Sequence, residues 1–169
     1  RIAGELQKAV SAKSQRSAAA AAAPLVSEGD RAHNADLARQ QFGVTGVGVK
    51  ACALSDGVDS LAASQAKGEL PPDVDVIAGQ EGDGDEGTAM LEIIHDLAPR
   101  AALGFASAFN SDASFADNIR KLRFESHCDV IVDDVIYFKE SPFQDWIIAQ
   151  AVNDVTADGA LYFSSAGNE

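Results

Sequence analysis

The sequence has little cysteine, little positive charge and no long apolar run. Two cysteines, Cys52 and Cys128, are too few for a disulfide scaffold or a cysteine-ligated zinc site. We expect two buried free thiols within strands, with a single disulfide as the alternative. The cysteines therefore do not indicate whether the protein's compartment is oxidising or reducing. The 26 acidic residues outnumber the 13 basic ones, giving a net charge of −13. This balance argues against binding to nucleic-acid backbones or anionic membrane surfaces.

No stretch of about 18 consecutive apolar residues occurs, so no transmembrane helix is expected. The chain begins at Arg1 and shows no signal peptide, which we interpret as a piece of a longer protein. Hydrophobic residues make up 46% of the sequence, enough to bury a core. Residues 1–25 are predicted to form an alanine-rich tail or linker, and residues 26–169 the folded portion.

Beyond residue 25, strand patterns alternate with helix patterns. The clearest helix is predicted from Glu86 to Leu97, because its apolar residues recur at helical spacing. Strands are predicted near residues 49–54, 74–77, 101–106, 129–135 and 160–164, and further helices near 30–42 and near 58–66. A further helix is predicted to be capped by Ser111, and another to open at Ser141, where Gln144 would complete a capping box. This order predicts an α/β fold with a parallel sheet and helices on both faces. Ligand sites in such sheets lie beyond the carboxyl ends of the strands.

Acidic residues follow two of these strands and begin the clearest helix. Glu86 shares a helix side with Met90, so we expect it to face the sheet instead of solvent. It would act there as a general acid or base, or else accept hydrogen bonds from backbone N–H groups as an ordinary N-terminal glutamate. Asp133 and Asp134 end a strand on opposite faces, and one should approach the crevice unless both are solvated. Asp56 follows the first strand, as a site residue or a simple turn residue.

Other motifs are weaker. The acidic loop at Asp83 and Asp85 lacks EF-hand spacing, so structural calcium there is a minor alternative and no other cofactor is indicated. The GVTGVG segment raises a nucleotide-binding domain as an alternative function, but its glycines precede the strand instead of following it. The three histidines do not cluster, and no G-x-S-x-G or P-loop motif is present.

Four segments in order resemble the subtilase superfamily of serine peptidases. They are GVGVKACALSDGVDS, DEGTAMLEIIHDLAPRAAL, CDVIVDDV and SSAGNE, within residues 43–169. They are similar to the strand with the catalytic aspartate, the His-Gly-Thr helix, a cleft-wall strand and the Ala-Gly-Asn turn. The resemblance implies the first half of a subtilisin-like three-layer catalytic domain.

The resemblance places Glu86 where the catalytic histidine stands, which is similar to the Ser-Glu-Asp triad of the sedolisin branch. Met90 stands where sedolisins carry an aspartate, so Asp56 or Asp134 would orient the glutamate. An ungapped match puts Ser55 at the aspartate position and Asp56 one residue later. Asn168 would help to form the oxyanion hole, as in subtilisins. The Gly-Thr-Ser nucleophile motif is absent.

The implied function is serine-type endopeptidase activity on peptide or protein substrates, in a complete protein that supplies the nucleophile. A non-catalytic subtilase-like binding or scaffold module is the alternative, because the histidine is replaced. The resemblance implies an extracellular or cell-envelope location. An incomplete domain with an open sheet edge predicts pairing with a missing second half or with another copy.

Overall fold

The computed structural model describes residues 25–167, so the predicted tail lies outside it apart from Leu25. Within that range, five strands alternate with six helices. The strands are β1 (Lys50–Ser55), β2 (Asp75–Val76), β3 (Ala102–Ser107), β4 (Val130–Asp133) and β5 (Leu161–Ser164). The helices are α1 (Glu28–Ala32), α2 (Ala35–Phe42), α3 (Leu61–Lys67), α4 (Glu86–Leu97), α5 (Asp112–Phe124) and α6 (Ile147–Ala157).

All five strands are parallel and lie in the order β2-β3-β1-β4-β5. Helices α3 and α4 contribute to a core on one face of the sheet, around Leu91 and Phe105. Helices α5 and α6 contribute to a larger core on the other face, around Ile119 and Ile131. The predicted α/β fold, with a parallel sheet between two helical layers, is therefore confirmed.

The central strand β1 explains why its sequence is almost continuously apolar. It pairs with β3 on one side and β4 on the other. Cys52 and Leu54 belong to the core beneath α5 and α6, whereas Ala53 belongs to the core beneath α4. A strand covered on both faces needs apolar side chains at odd and even positions alike. Ser55 ends the strand on the α4 face by the same alternation.

Several element boundaries differ from the predictions. The predicted helix of residues 30–42 is two helices, because Asn34 adopts a left-handed φ of 59° between α1 and α2. Helix α6 begins at Ile147 instead of near Ser141 and has no side-chain cap. Helix α4 spans the predicted residues, and the Ser111 hydroxyl accepts a hydrogen bond from Ser114 N, which confirms the predicted cap.

The expectation of two free thiols is wrong, because Cys52 and Cys128 form a disulfide. Cys52 lies in β1, and Cys128 lies just before β4 instead of within a strand. Pairing of β1 with β4 brings the two Cα atoms to 6.0 Å, within the range that disulfides span. Gly104 faces Cys52 from β3, where an added Cβ would lie 2.7 Å from the cysteine sulfur.

The disulfide closes a loop with a sequence separation of 76 residues, so its loss should destabilise the fold by about 2–4 kcal/mol through loop-closure entropy. We expect urea unfolding to show this decrease in the free energy of unfolding for the double variant Cys52→Ala/Cys128→Ala and for the reduced wild type. Iodoacetamide should label no cysteine in the denatured, unreduced protein and both after reduction. Labelling of both cysteines without reductant would contradict the disulfide.

Candidate functional site

A hydroxyl–carboxylate pair lies at the carboxyl end of the central strand. Ser55 Oγ donates a hydrogen bond to Glu86 Oε2 at 2.7 Å. Ser55 is the last residue of β1 and is fully buried, at 0% exposure. Glu86 is the first residue of α4, which packs against β1 and β3. The pair therefore joins the central strand to the start of the helix that covers it.

A glycine allows this close approach. An added Cβ at Gly87 would lie 2.3 Å from the Phe105 ring and 2.5 Å from the Gly57 carbonyl oxygen. Any other residue would push the start of α4 away from the sheet. The glycine that follows Glu86 is thus needed to hold the glutamate over the end of β1.

The expectation that Glu86 faces the sheet and is shielded from solvent is wrong in one respect. The residue is exposed, although its carboxylate contacts Ser55 at the sheet edge. A first-turn position lies beyond the end of the strands, so helical periodicity brings the side chain over the edge without covering it. Its carboxylate is accessible to a ligand from the solvent side.

Asp56 acts at the helix N-terminus instead of at the Glu86 carboxylate. Its Oδ1 atom accepts a hydrogen bond from Gly87 N at 3.2 Å and another from the neighbouring Gly57 N. Asp56 thus satisfies a free N–H group of α4, where the helix dipole favours a negative charge. Ser55 contacts the Glu86 carboxylate because β1 extends through residue 55, whereas the Asp56 carboxylate is held by the backbone N–H groups of Gly57 and Gly87. Ser55 was not among the predicted site residues, although the ungapped comparison within the resemblance placed it at the aspartate position.

A third predicted site residue, Asp134, makes no hydrogen bond to Glu86 within residues 25–167. Asp134 is exposed, lies one residue beyond β4 and makes no side-chain hydrogen bond in this part of the chain. Its backbone N–H donates to Leu54 O at 3.4 Å. Asn168 lies outside the described residues, so its oxyanion-hole role stays a prediction.

Asp133 is the buried acidic residue at the carboxyl ends of the strands. The sequence pattern did not distinguish it from Asp134. It is 6% exposed and lies on the α5–α6 face, opposite to Ser55. Tyr162 Oη donates to one carboxylate oxygen at 2.6 Å, and Ser164 Oγ donates to the other at 2.8 Å. Burial raises the pKa of the Asp133 carboxyl, and burial together with the Asp133 charge raises the pKa of Tyr162. The sequence feature that could have identified Asp133 is the pair Tyr162 and Ser164 on the last predicted strand, because both lie on the same face of the sheet as Asp133.

A cavity of about 440 Å³ opens beside this acid. It lies beyond the carboxyl ends of β4 and β5, where parallel sheets bind ligands. Its polar lining includes Asp133 and Glu140, and its apolar lining includes Phe115, Ile148 and Val152. Such a volume and mixture are typical of small-molecule sites or of a pocket for one long side chain.

The acidic loop is used for internal hydrogen bonds. The Asp85 carboxylate accepts hydrogen bonds from Ser60 Oγ and Ser60 N, and these two bonds lower the pKa of Asp85. Asp59 accepts a bond from Gly84 N. Within residues 25–167, no group of three His, Cys, Asp or Glu side chains is arranged to hold a metal ion. Structural calcium in this loop thus has no support from side-chain geometry.

No protein-family model matches the chain. No curated protein gives a significant match. Among the helices of residues 25–167, none is long and apolar enough to cross a membrane.

The raised pKa of Asp133 sets the sign of a pH effect. The folded protein keeps this proton at pH values where the unfolded chain has lost it, so stability falls as pH rises above about 4 toward the folded-state pKa. Asp133→Asn removes the titration and keeps an acceptor for Tyr162. We expect its free energy of unfolding, relative to wild type, to increase between pH 4 and pH 7 in urea titrations.

Asp117→Asn, at an exposed position on α5, is the matched control and should leave the pH profile unchanged. If the difference in the free energy of unfolding between wild type and Asp133→Asn did not change with pH, the effect of burial on the Asp133 pKa would be contradicted.

Proposed function

We propose that residues 25–167 belong to the first part of a serine-type endopeptidase domain in which Glu86 is the general base. The observation that carries the proposal is the 2.7 Å hydrogen bond from buried Ser55 to exposed Glu86 at the end of the central strand. These two residues stand where the resemblance to subtilases places the catalytic aspartate and histidine. The parallel sheet and the helix that begins at Glu86 are compatible with that resemblance.

The chemistry of the pair is self-consistent. A histidine base becomes positive when it takes a proton, so a carboxylate is its natural partner. A glutamate base starts negative and becomes neutral, and a second carboxylate beside it would have to share a proton. A hydroxyl donor avoids that repulsion and orients one carboxylate oxygen. Replacement of both members of the pair therefore keeps a hydrogen bond between them without placing two negative charges side by side.

In the proposed reaction, Glu86 accepts the proton of a serine nucleophile supplied by the complete protein. The serine oxygen attacks the scissile carbonyl, and the protonated glutamate then donates to the leaving amine. Ser55 is a positioning residue, because full burial keeps it away from substrate.

The edge strand β5 exposes the apolar side chains Leu161 and Phe163. In the proposed complete domain, further chain would cover this surface.

A non-catalytic binding module is the second candidate. It is favoured because, within residues 25–167, neither Asp56 nor Asp134 makes a hydrogen bond to the Glu86 carboxylate. The cavity on the opposite face of the sheet supports binding whether or not Glu86 takes part in chemistry.

The first test replaces the base in the complete natural chain. Glu86→Gln keeps the shape of the side chain and its contact with Ser55 but cannot accept a proton. We expect hydrolysis of fluorogenic peptides to fall by about 10²–10⁴-fold, the usual contribution of a general base. Glu125→Gln is the control and should keep full activity. Glu125 is exposed and follows α5, at the end of the sheet where the strands begin.

Equal turnover by Glu86→Gln and wild type would exclude Glu86 as the base. Absence of peptide hydrolysis and of serine labelling by a phosphonate probe in wild type would favour the binding module.

The second test removes the orienting hydroxyl. Ser55→Ala should lower kcat with little change in KM, because a misoriented base affects the transition state more than substrate binding. The free energy of unfolding should fall by only about 1 kcal/mol, since solvent reaches the Glu86 carboxylate when the bond is lost. A change in KM alone, measured with the same peptides, would show that Ser55 does not position the base.

A further inference from the structure

The cavity beyond β4 and β5 has a one-sided charge. Asp133 and Glu140 are both among its lining residues, and none of the described residues that line it is Lys, Arg or His. The sequence as a whole adds to this field, with a net charge of −13. Anionic ligands are therefore disfavoured by simple Coulomb repulsion.

Asp133, the buried one of the two acidic residues that line the cavity, has no cationic partner among residues 25–167. Asp133 receives hydrogen bonds from the neutral hydroxyls of Tyr162 and Ser164, and no ion pair joins it to a basic residue within residues 25–167. A buried ionised carboxylate is costly unless an opposite charge compensates it. The raised pKa of Asp133 is the expected consequence of that burial. A cation in the cavity would supply the missing charge.

The rest of the lining suits the stem of an aliphatic ligand. Phe115, Ile148 and Val152 provide apolar wall, and the Phe115 ring is held by stacking on Tyr137 at a centroid distance of 5.3 Å. Glu140 Oε1 accepts a hydrogen bond from Ala149 N at 3.3 Å, which ties the second carboxylate to the start of α6. Apolar wall and acidic groups thus occur together in one cavity of about 440 Å³.

We propose that this cavity binds an organic cation, an ammonium or guanidinium group at the end of an aliphatic chain. The stem packs on Phe115, Ile148 and Val152, and the charged end lies toward Asp133 and Glu140. The same chemistry is offered by a free alkylamine and by a lysine or arginine side chain of a peptide. The proposal does not require peptide hydrolysis, because Glu86 lies on the other face of the sheet.

Isothermal titration of the complete natural chain at pH 7 tests the charge preference. The probes are n-butylammonium, the neutral isostere 1-butanol and the anion butyrate. We expect the ammonium to bind at least about tenfold more tightly than the alcohol, corresponding to about 1.4 kcal/mol, and butyrate to give no heat. Equal affinities for ammonium and alcohol, or no binding of the ammonium, would overturn the proposal.

Two variants locate the preference. Asp133→Asn and Glu140→Gln each remove one charge and keep a hydrogen-bond acceptor, and each should reduce the ammonium preference severalfold. The second variant keeps the test decisive if the first fails to fold by circular dichroism. Glu125→Gln is the matched control and should bind like wild type. Folded variants that retain the full preference would overturn the assignment to this cavity.

A peptide arm distinguishes the source of the cation. Short acetylated amides that contain one lysine or, as the neutral match, one norleucine are titrated in the same way. Binding of the lysine peptide assigns a side-chain pocket, and binding of butylammonium without the peptide assigns a small-molecule site. Glu86→Gln should leave both affinities unchanged, so failure of the peptidase proposal and failure of this one give different results.

Discussion

Strand β1 is paired in parallel with β3 and β4 and is covered by side chains on both faces. This pairing brings the carboxyl end of β1 next to that of β4, so the residues after both strands meet at one edge of the sheet. It also brings Cys52 and Cys128 within disulfide distance. Alternation along the same strands then sends Ser55 to the α4 face, whereas Asp133 lies on the α5–α6 face. The two candidate sites are separated by the sheet itself.

The two sites show how environment assigns different roles to similar acids. Glu86 is exposed, is held by one hydroxyl and lies where a helix begins. Asp133 is buried, receives two hydroxyl donors and has a raised pKa. An exposed, oriented carboxylate is suited to proton exchange with a substrate or nucleophile. A buried carboxylate beside an apolar cavity is suited to recognition of charge, because low polarity strengthens its interaction with a cation.

Elements with strong periodicity were predicted well, and elements at loops were not. Helix α4 has an apolar stripe over its full length, so its bounds follow from the sequence. The predicted start of α6 at Ser141 relied on a local capping pattern, yet the helix begins at Ile147. Local hydrogen-bonding signals are weak beside tertiary packing, which places the start where Ile148 becomes buried. The break at Asn34 depends on one left-handed residue, which apolar spacing does not reveal.

The sequence by itself determined the α/β class, the order of strands and helices, and the edge at which acidic residues gather. These properties depend on local periodicity and on the general handedness of βαβ units. Only the tertiary structure decided which acid is buried, that Ser55 and not Asp56 contacts Glu86, and that the cysteines are joined. Each of these depends on strand register and on contacts between residues far apart in the chain. A shift of one residue in a strand reverses its faces, and such a shift leaves no trace in composition or spacing.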